Sequence, residues 1–158
     1  MNAVTSGDET GYRAGAAGDS PGMTIEDRLF ELWTTPPDDR DNPAAAFGEL
    51  YADPVTINGQ SMSVEDLVAR ARALHAAFDR HEIEVVGRIE EPGRLAIAFR
   101  HRARHAGEWV TPLGTLVPTG KVVTGLGIDL LTFTDGKVSA IWVLADELQR
   151  ILQVHPSP

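Results

Sequence analysis

Two long apolar segments joined by Asp135-Gly136 constrain the fold of this chain more than any other feature. Both segments are rich in Val, Ile, Leu and Thr, which favour β-strands. Asp and Gly tolerate positive φ, so this pair is typical of the tight turn of a β-hairpin. The sequence therefore predicts an antiparallel hairpin within residues 118–153, whose second strand carries Trp142 and ends at Asp146.

Asp146 is the leading candidate for a catalytic residue. A carboxylate at the end of an apolar strand is costly to bury unless it is solvated, paired or used in chemistry. In a regular strand Trp142, Leu144 and Asp146 share one face. We expect that face to line a pocket in which desolvation raises the pKa of Asp146 toward acid or base use. The alternative is that Asp146, followed by Glu147, is the N-cap of a terminal helical turn.

The first half of the chain carries helical patterns after a polar beginning. Residues 1–22 are rich in Gly, Ala, Ser and Thr without apolar periodicity, which predicts a disordered tail before one domain over residues 23–155. Thr24, Asn42 and Ser63 are predicted helix N-caps, and each precedes apolar residues at helical spacing.

Two further strands are predicted over residues 82–91 and 94–105, around the turn at Pro92-Gly93. In the second strand the odd-numbered residues are expected to face inward, and Arg100, Arg102 and Arg104 outward. Helices followed by about four sequential strands indicate an α+β fold, a cone-shaped, curved antiparallel sheet wrapping helices. Such a cone leaves an apolar pocket between sheet and helices, a usual place for a small-molecule site.

Composition narrows the functional classes. The 158 residues are enough for one domain with a substantial core. The net charge of −9 opposes binding to nucleic acid, and the lack of cysteine excludes disulfides and thiolate metal sites. No segment approaches the length of a membrane helix, so we expect a soluble, cytoplasmic protein. No glycine-rich phosphate loop or metal-spaced histidine pair is present, so no cofactor or metal is expected.

Other polar residues are weighed as site candidates. His101, beside Phe99 on the inward side of its strand, could hydrogen-bond a substrate carbonyl or orient Asp146, or be a satisfied core histidine. Asp129 is either a solvated acid on the outer face or a second pocket carboxylate, and the outer face is favoured. The residues expected to contact substrate are Trp33, Tyr51, Asn58, Phe99, Leu116, Trp142 and Leu144.

The motifs of the second half resemble a known family. Pro-Thr-Gly-Lys at 118–121, a strand, Asp-Gly-Lys-Val at 135–138, then Trp142 with Asp146 four residues later and a closing Leu-Gln are similar to the SnoaL-like polyketide cyclases, within the nuclear transport factor 2-like superfamily. The resemblance covers about residues 23–154. It implies an α+β cone, commonly a homodimer, that closes rings on polyketide chains by an intramolecular aldol reaction without a cofactor. It also places the catalytic aspartate at Asp146.

The chain departs from that family pattern in ways that broaden the expected chemistry. Members often carry Gly-Thr-His before the Pro-Thr-Gly motif, whereas this chain has Gly114, Thr115 and Leu116. A mostly apolar pocket can still promote ring closure by holding a flexible chain in its reactive conformation. We therefore predict either an aldol reaction or a conformationally steered [4+2] cyclisation.

Two alternatives to a cyclase stay open. One is a non-catalytic carrier of a hydrophobic small molecule. The other is an epoxide hydrolase or isomerase of the same superfamily, which Leu144 and Asn58 disfavour because related enzymes carry acids at those positions. Whatever the function, the outer sheet face, including Thr124, Thr132 and Arg102, is the expected surface of a homodimer.

Overall fold

The computed structural model describes residues 22–155, so the predicted tail lies outside the described residues except for Gly22. Within that range the helices and strands follow one another as α1 (Ile25–Thr34), α2 (Pro43–Leu50), β1 (Tyr51–Ile57), β2 (Gln60–Met62), α3 (Val64–Ala77), β3 (Phe78–Glu91), β4 (Arg94–His105), β5 (Trp109–Thr111), β6 (Gly114–Leu116), β7 (Val122–Thr134), β8 (Lys137–Ala145) and α4 (Glu147–Val154). A short 3-10 turn at Pro37–Asp39 separates α1 from α2.

Six strands form one curved sheet in the order β2-β1-β8-β7-β4-β3. Its neighbouring strands are antiparallel except for β1 and β8, which are parallel. Strands β5 and β6 form a separate two-stranded sheet. The predicted α+β class with a curved antiparallel sheet is confirmed, and the Asp135-Gly136 turn joins β7 to β8 as expected.

The predicted helix starts are confirmed by their caps. Thr24 and Ser63 form capping boxes with Asp27 and Asp66, and the Asn42 side chain accepts a hydrogen bond from the backbone of Ala45. Each cap satisfies backbone N–H groups that a helix leaves without internal partners. None of the helices in residues 22–155 is both long and apolar enough to cross a membrane.

The core has two parts. The larger lies between α1, α2, α3 and the sheet, and its fully buried side chains include Phe47, Val55, Leu67, Ile97 and Val138. The smaller contains Phe78, Ala103, Trp109 and Val123, and buried side chains of α4 complete it, namely Ile151 and Val154. The sheet therefore supports helices at both ends, and α4 lies against β7 because its apolar side belongs to this second core.

In strands β7 and β8, the side chains that were predicted to face the pocket face outward instead. Residues paired across antiparallel strands share a face, and the register pairs Leu130 with Trp142 and Ile128 with Leu144. All four of these side chains are exposed on the outer face. The inward face of β7 instead carries Val123, Gly125, Gly127, Asp129 and Leu131, which are all buried.

Substituting Gly127 should reveal this orientation. A β-carbon there would lie 2.4 Å from Cζ of Phe99, so Gly127→Val should destabilise the fold by about 1–3 kcal/mol through overpacking. Ile128→Val, one residue along and on the exposed face, should change stability by less than about 0.5 kcal/mol. Urea unfolding of both variants measures this, and equal effects would contradict the assigned faces.

Candidate functional site

A cavity of about 340 Å³ lies between the concave face of the sheet and the helices. Its wall is mostly apolar, with a few polar groups, as is usual for small-molecule sites. It is lined by Leu29, Phe30, Trp33, Thr34, Tyr51, Ile57, Asn58, Arg70, Leu74, His81, Ile83, Phe99, His101, Asp129, Ile141, Val143, Ala145 and Arg150. Five of the residues predicted from the sequence therefore line one cavity: Trp33, Tyr51, Asn58, Phe99 and His101.

Four predicted residues lie outside this cavity, and their expected placement was wrong. Trp142 and Leu144 are 58% and 69% exposed on the outer sheet face. Leu116 is half-buried against the smaller core. Asp146 is exposed, and its side chain accepts a hydrogen bond from the backbone of Gln149 at 3.3 Å, which makes it the N-cap of α4. No observation tests the catalytic role predicted for Asp146, but its geometry is that of the alternative considered above.

Asn58 lies in the cavity wall, but its side chain is hydrogen-bonded to the backbone of β8. Its Nδ2 donates to the carbonyl of Val143 at 3.1 Å, and its Oδ1 accepts from the Val143 N–H at 2.8 Å. Asn58 also has a φ of 49°, a conformation that asparagine tolerates better than most residues. Its visible role is to hold β8 beside the turn after β1.

Asp129 is the carboxylate of the cavity, contrary to the outer-face position favoured from the sequence. It is 9% exposed, and its Oδ1 is buried without a hydrogen-bond partner. Its cross-strand neighbours are Ile97 on β4 and Val143 on β8. Burial among such side chains disfavours the charged form and raises the pKa of Asp129 to about 6. A carboxyl group with that pKa can both take and return a proton near neutral pH.

Tyr51 offers a hydrogen-bond donor in the same cavity. Its hydroxyl accepts from Nε1 of Trp33 at 2.7 Å, which leaves the hydroxyl hydrogen available for a ligand. Burial raises the pKa of Tyr51, and the charge of Asp129 adds to that rise. The phenol therefore stays protonated and suits a carbonyl oxygen that gains negative charge.

His101 is hydrogen-bonded to His81, and the distances show which ring nitrogens carry a hydrogen. His81 Nε2 lies 3.1 Å from the carbonyl of Phe78, so this nitrogen donates. In the neutral ring Nδ1 of His81 is then an acceptor, and His101 Nε2, 3.0 Å away, donates to it. Burial and the charge of Arg150 lower the pKa of His101 to about 3. His101 is therefore neutral, with Nδ1 as an acceptor.

His75 lies beside this histidine pair. Within residues 22–155 no three His, Asp or Glu side chains are grouped so as to hold a metal ion. His75 Nε2 lies 3.0 Å from the carbonyl of Trp33, to which it donates, and its ring packs edge-on against His81. His75 and His81 are thus tied to backbone carbonyls, and His81 in turn holds His101.

Sequence reasoning missed the cavity positions of His81 and Arg150, and for Asp129 it favoured the outer face over the alternative of a pocket carboxylate. Two signals were available. Gly125, Gly127 and Asp129 alternate on one face of β7, and small residues beside an acid indicate a space. In α4, Arg150 precedes the buried Ile151 and shares the buried side with Val154, so a cation was placed toward the core. His81 gave no such signal, because Arg80, with a φ of 52°, interrupts the alternation of β3.

Both the sequence and the fold of this chain resemble those of known proteins. The pattern of the SnoaL-like polyketide cyclase family matches residues 28–154. No curated protein sequence matches the chain. Among solved structures, a proposed SnoaL-like polyketide cyclase from Jannaschia sp. CCS1 is 19% identical with a TM-score of 0.68, over 90% of this chain and 100% of that chain.

Two further structures come from Streptomyces. AclR of Streptomyces galilaeus, a proposed hydroxylase, is 20% identical with a TM-score of 0.65, over 85% of this chain and 97% of its own. IdmH of Streptomyces antibioticus, a proposed polyketide cyclase, is 16% identical with a TM-score of 0.63, over 83% and 98%. At these identities the likeness supports the fold.

Neutralising Asp129 should stabilise the protein at neutral pH. The pKa is raised from 3.8 to about 6 on folding, so the folded state binds this proton more tightly. The contribution of Asp129 to stability is then fully present below its unfolded pKa and falls as pH rises through that interval, by a total on the order of 3 kcal/mol. Asp129→Asn should raise the free energy of unfolding at pH 7.5 by about 1–3 kcal/mol and flatten its pH dependence.

Asp146→Asn provides the matched control for chemical denaturation across pH. Asn caps helices about as well as Asp, so this variant should unfold like the unaltered protein. A loss of stability in Asp129→Asn at pH 7.5 would show that the Asp129 carboxylate has a stabilising partner.

Proposed function

We propose, from the premise that this chain belongs to the SnoaL-like polyketide cyclase family, that it closes a ring on a polyketide-derived chain in natural-product biosynthesis, with Asp129 transferring the proton. The observation that carries this proposal is a nine-tenths buried carboxylate, with one oxygen unpartnered, in the wall of an apolar cavity. Desolvation tunes its pKa to about 6, where a carboxylate is an effective base at neutral pH.

The proposed reaction is an intramolecular aldol addition. The Asp129 carboxylate removes a proton from a carbon between two carbonyl groups of the substrate, which leaves an enolate. The enolate carbon attacks a second carbonyl carbon of the same chain, so one carbon–carbon bond forms and the attacked oxygen becomes an alkoxide. That oxygen takes the proton back from Asp129. The product is an isomer of the substrate, and the cycle needs no cofactor.

The other cavity residues support this cycle in distinct ways. The Tyr51 hydroxyl, free to donate, stabilises the enolate oxygen as charge develops. The neutral His101 offers Nδ1 as an acceptor for a substrate hydroxyl. Trp33 and Phe99 provide flat apolar walls that hold the flexible chain in its reactive fold.

Linear triketide and tetraketide thioesters of N-acetylcysteamine test the proposal. Ring closure, followed by mass spectrometry, should be faster with the protein than in buffer. Asp129→Asn should lower turnover by roughly a hundredfold, because an amide cannot accept the proton. Turnover should rise with pH through about 6, the pKa of Asp129.

Asp146→Asn is the control, since it keeps the cap of α4 and should keep turnover. The reverse result, with activity lost only in Asp146→Asn, would return catalysis to the residue first predicted. Full turnover in Asp129→Asn with loss in a wall variant such as Phe99→Ala would favour a sterically steered [4+2] cyclisation. Binding of the thioesters without any conversion would favour a carrier.

We also propose that the protein forms a homodimer through the outer face of β7 and β8. Five apolar side chains there are exposed, at 42–69%: Leu126, Ile128, Leu130, Trp142 and Leu144. A large apolar patch on a soluble domain commonly marks an interface, and closed dimers are the commonest assembly. The arginines first expected there, such as Arg102, lie beside this patch on β4 and pair with acids of β3.

A charge in this patch should separate the subunits. Leu144→Lys is expected to yield a monomer in sedimentation at micromolar concentration, because each copy would bury an unpaired ammonium. Leu113→Lys, equally exposed at 74% in the turn between β5 and β6, should leave the assembly unchanged. An unaltered protein that sediments as a monomer would overturn the dimer.

A further inference from the structure

Arg150 reaches the cavity only because residue 125 is glycine. The side chain leaves α4 and crosses the inward face of β7. A β-carbon at Gly125 would lie 2.8 Å from Cγ and 2.6 Å from Cδ of Arg150, closer than atoms pack. The strand thus leaves a channel for the arginine stem, which is a built feature rather than a surface side chain that folded inward.

Two aromatic rings hold the guanidinium of Arg150. Its Cζ lies 4.8 Å from the centroid of Phe78 and 5.5 Å from that of Trp109. Such cation–π contacts use the faces of the guanidinium and leave its N–H edge for planar partners. On that edge Nε and Nη2 are buried and have no hydrogen-bond partner.

Arg150 therefore differs from the exposed arginines of the sheet. Arg100 and Arg102 pair with carboxylates of β3, Glu84 and Glu82. A buried cation without such a partner is costly, because its lost hydration is not replaced. The two bare nitrogens lie on the same edge of the guanidinium, which matches the two oxygens of a carboxylate.

The charges that line the cavity also favour binding of an anion. The chain carries a net charge of −9, yet among residues 22–155 the cavity is lined by two arginines, Arg70 and Arg150, and by one carboxylate, that of Asp129. Burial, with Arg150 contributing, lowers the pKa of both His81 and His101, so neither adds charge at neutral pH. The lining is positive within an acidic protein.

We propose that Arg150 is the specificity-determining residue of this cavity and binds a carboxylate of the ligand through Nε and Nη2. The preferred substrate class is then a polyketide-derived acid with an apolar, ring-forming body, and the neutral thioesters named above would use the same cavity without this contact. This deepens the proposed function and rests on it, because the same cavity is used. Its test measures binding without turnover, so either idea can fail without the other.

Calorimetry with naphthylacetate and with its methyl ester tests the inference. The two probes share a flat apolar body and differ in the charged group. The unaltered protein should bind the acid at least tenfold more tightly than the ester at neutral pH. Arg150→Gln should remove that preference while changing ester binding by less than about threefold. Arg150→Lys, which keeps a charge without the planar fork, should restore part of it.

Three further variants separate this role from a loss of folding and from catalysis. Gly125→Ala obstructs the arginine stem and should lower acid binding with Arg150 still present. Arg72→Gln, an exposed arginine of α3 that pairs with Asp38 outside the cavity, should bind both probes normally. Asp129→Asn should lower ring closure by roughly a hundredfold yet keep the acid preference.

Three results would overturn the assignment. Equal affinity of the unaltered protein for acid and ester would do so without any variant. Acid preference that survives in folded Arg150→Gln, as judged by circular dichroism, would do so as well. Loss of the preference in Arg70→Gln alone would transfer the anion site to α3.

Discussion

The cavity depends on one constraint, the absence of side chains at two positions on the inward face of β7. Gly125 and Gly127 occupy places where their neighbours on β4, His101 and Phe99, carry large rings. The Phe99 ring lies over Gly127, and the Arg150 stem lies over Gly125. Glycine weakens a strand. At these two positions it also provides the space that the side chains of Phe99 and Arg150 occupy. A core filled at normal density would leave no site.

The polar groups of the cavity are left partly uncompensated. Asp129 is buried with an unpartnered oxygen, and Arg150 with two unpartnered nitrogens. Proteins usually satisfy such groups because desolvation is costly. In contrast, the imidazoles of His75, His81 and His101 are tied to carbonyls or to one another. The groups without hydrogen-bond partners thus lie where a bound ligand could supply them. The groups with partners surround them.

Patterning in the chain predicted the helices and the first long strands well. The caps at Thr24, Asn42 and Ser63 follow from local hydrogen bonding, which depends on a few adjacent residues. In β4 the prediction held because one face carries arginines and the other apolar residues. In β7 and β8 both faces are apolar, and the larger side chains lie outside. Hydrophobicity could not show the inward face there, and Trp142 and Leu144 were misplaced for that reason.

The sequence by itself determined the α+β plan, the hairpin at Asp135-Gly136 and five residues of the cavity wall, because these depend on short-range pattern and turn chemistry. Only the tertiary structure decided which carboxylate is buried. Asp146 ends its strand beside α4 and satisfies the helix N-terminus, whereas Asp129 is enclosed by Ile97 and Val143 from two other strands. Desolvation comes from those distant segments, so the raised pKa of Asp129 is a property of the assembled sheet.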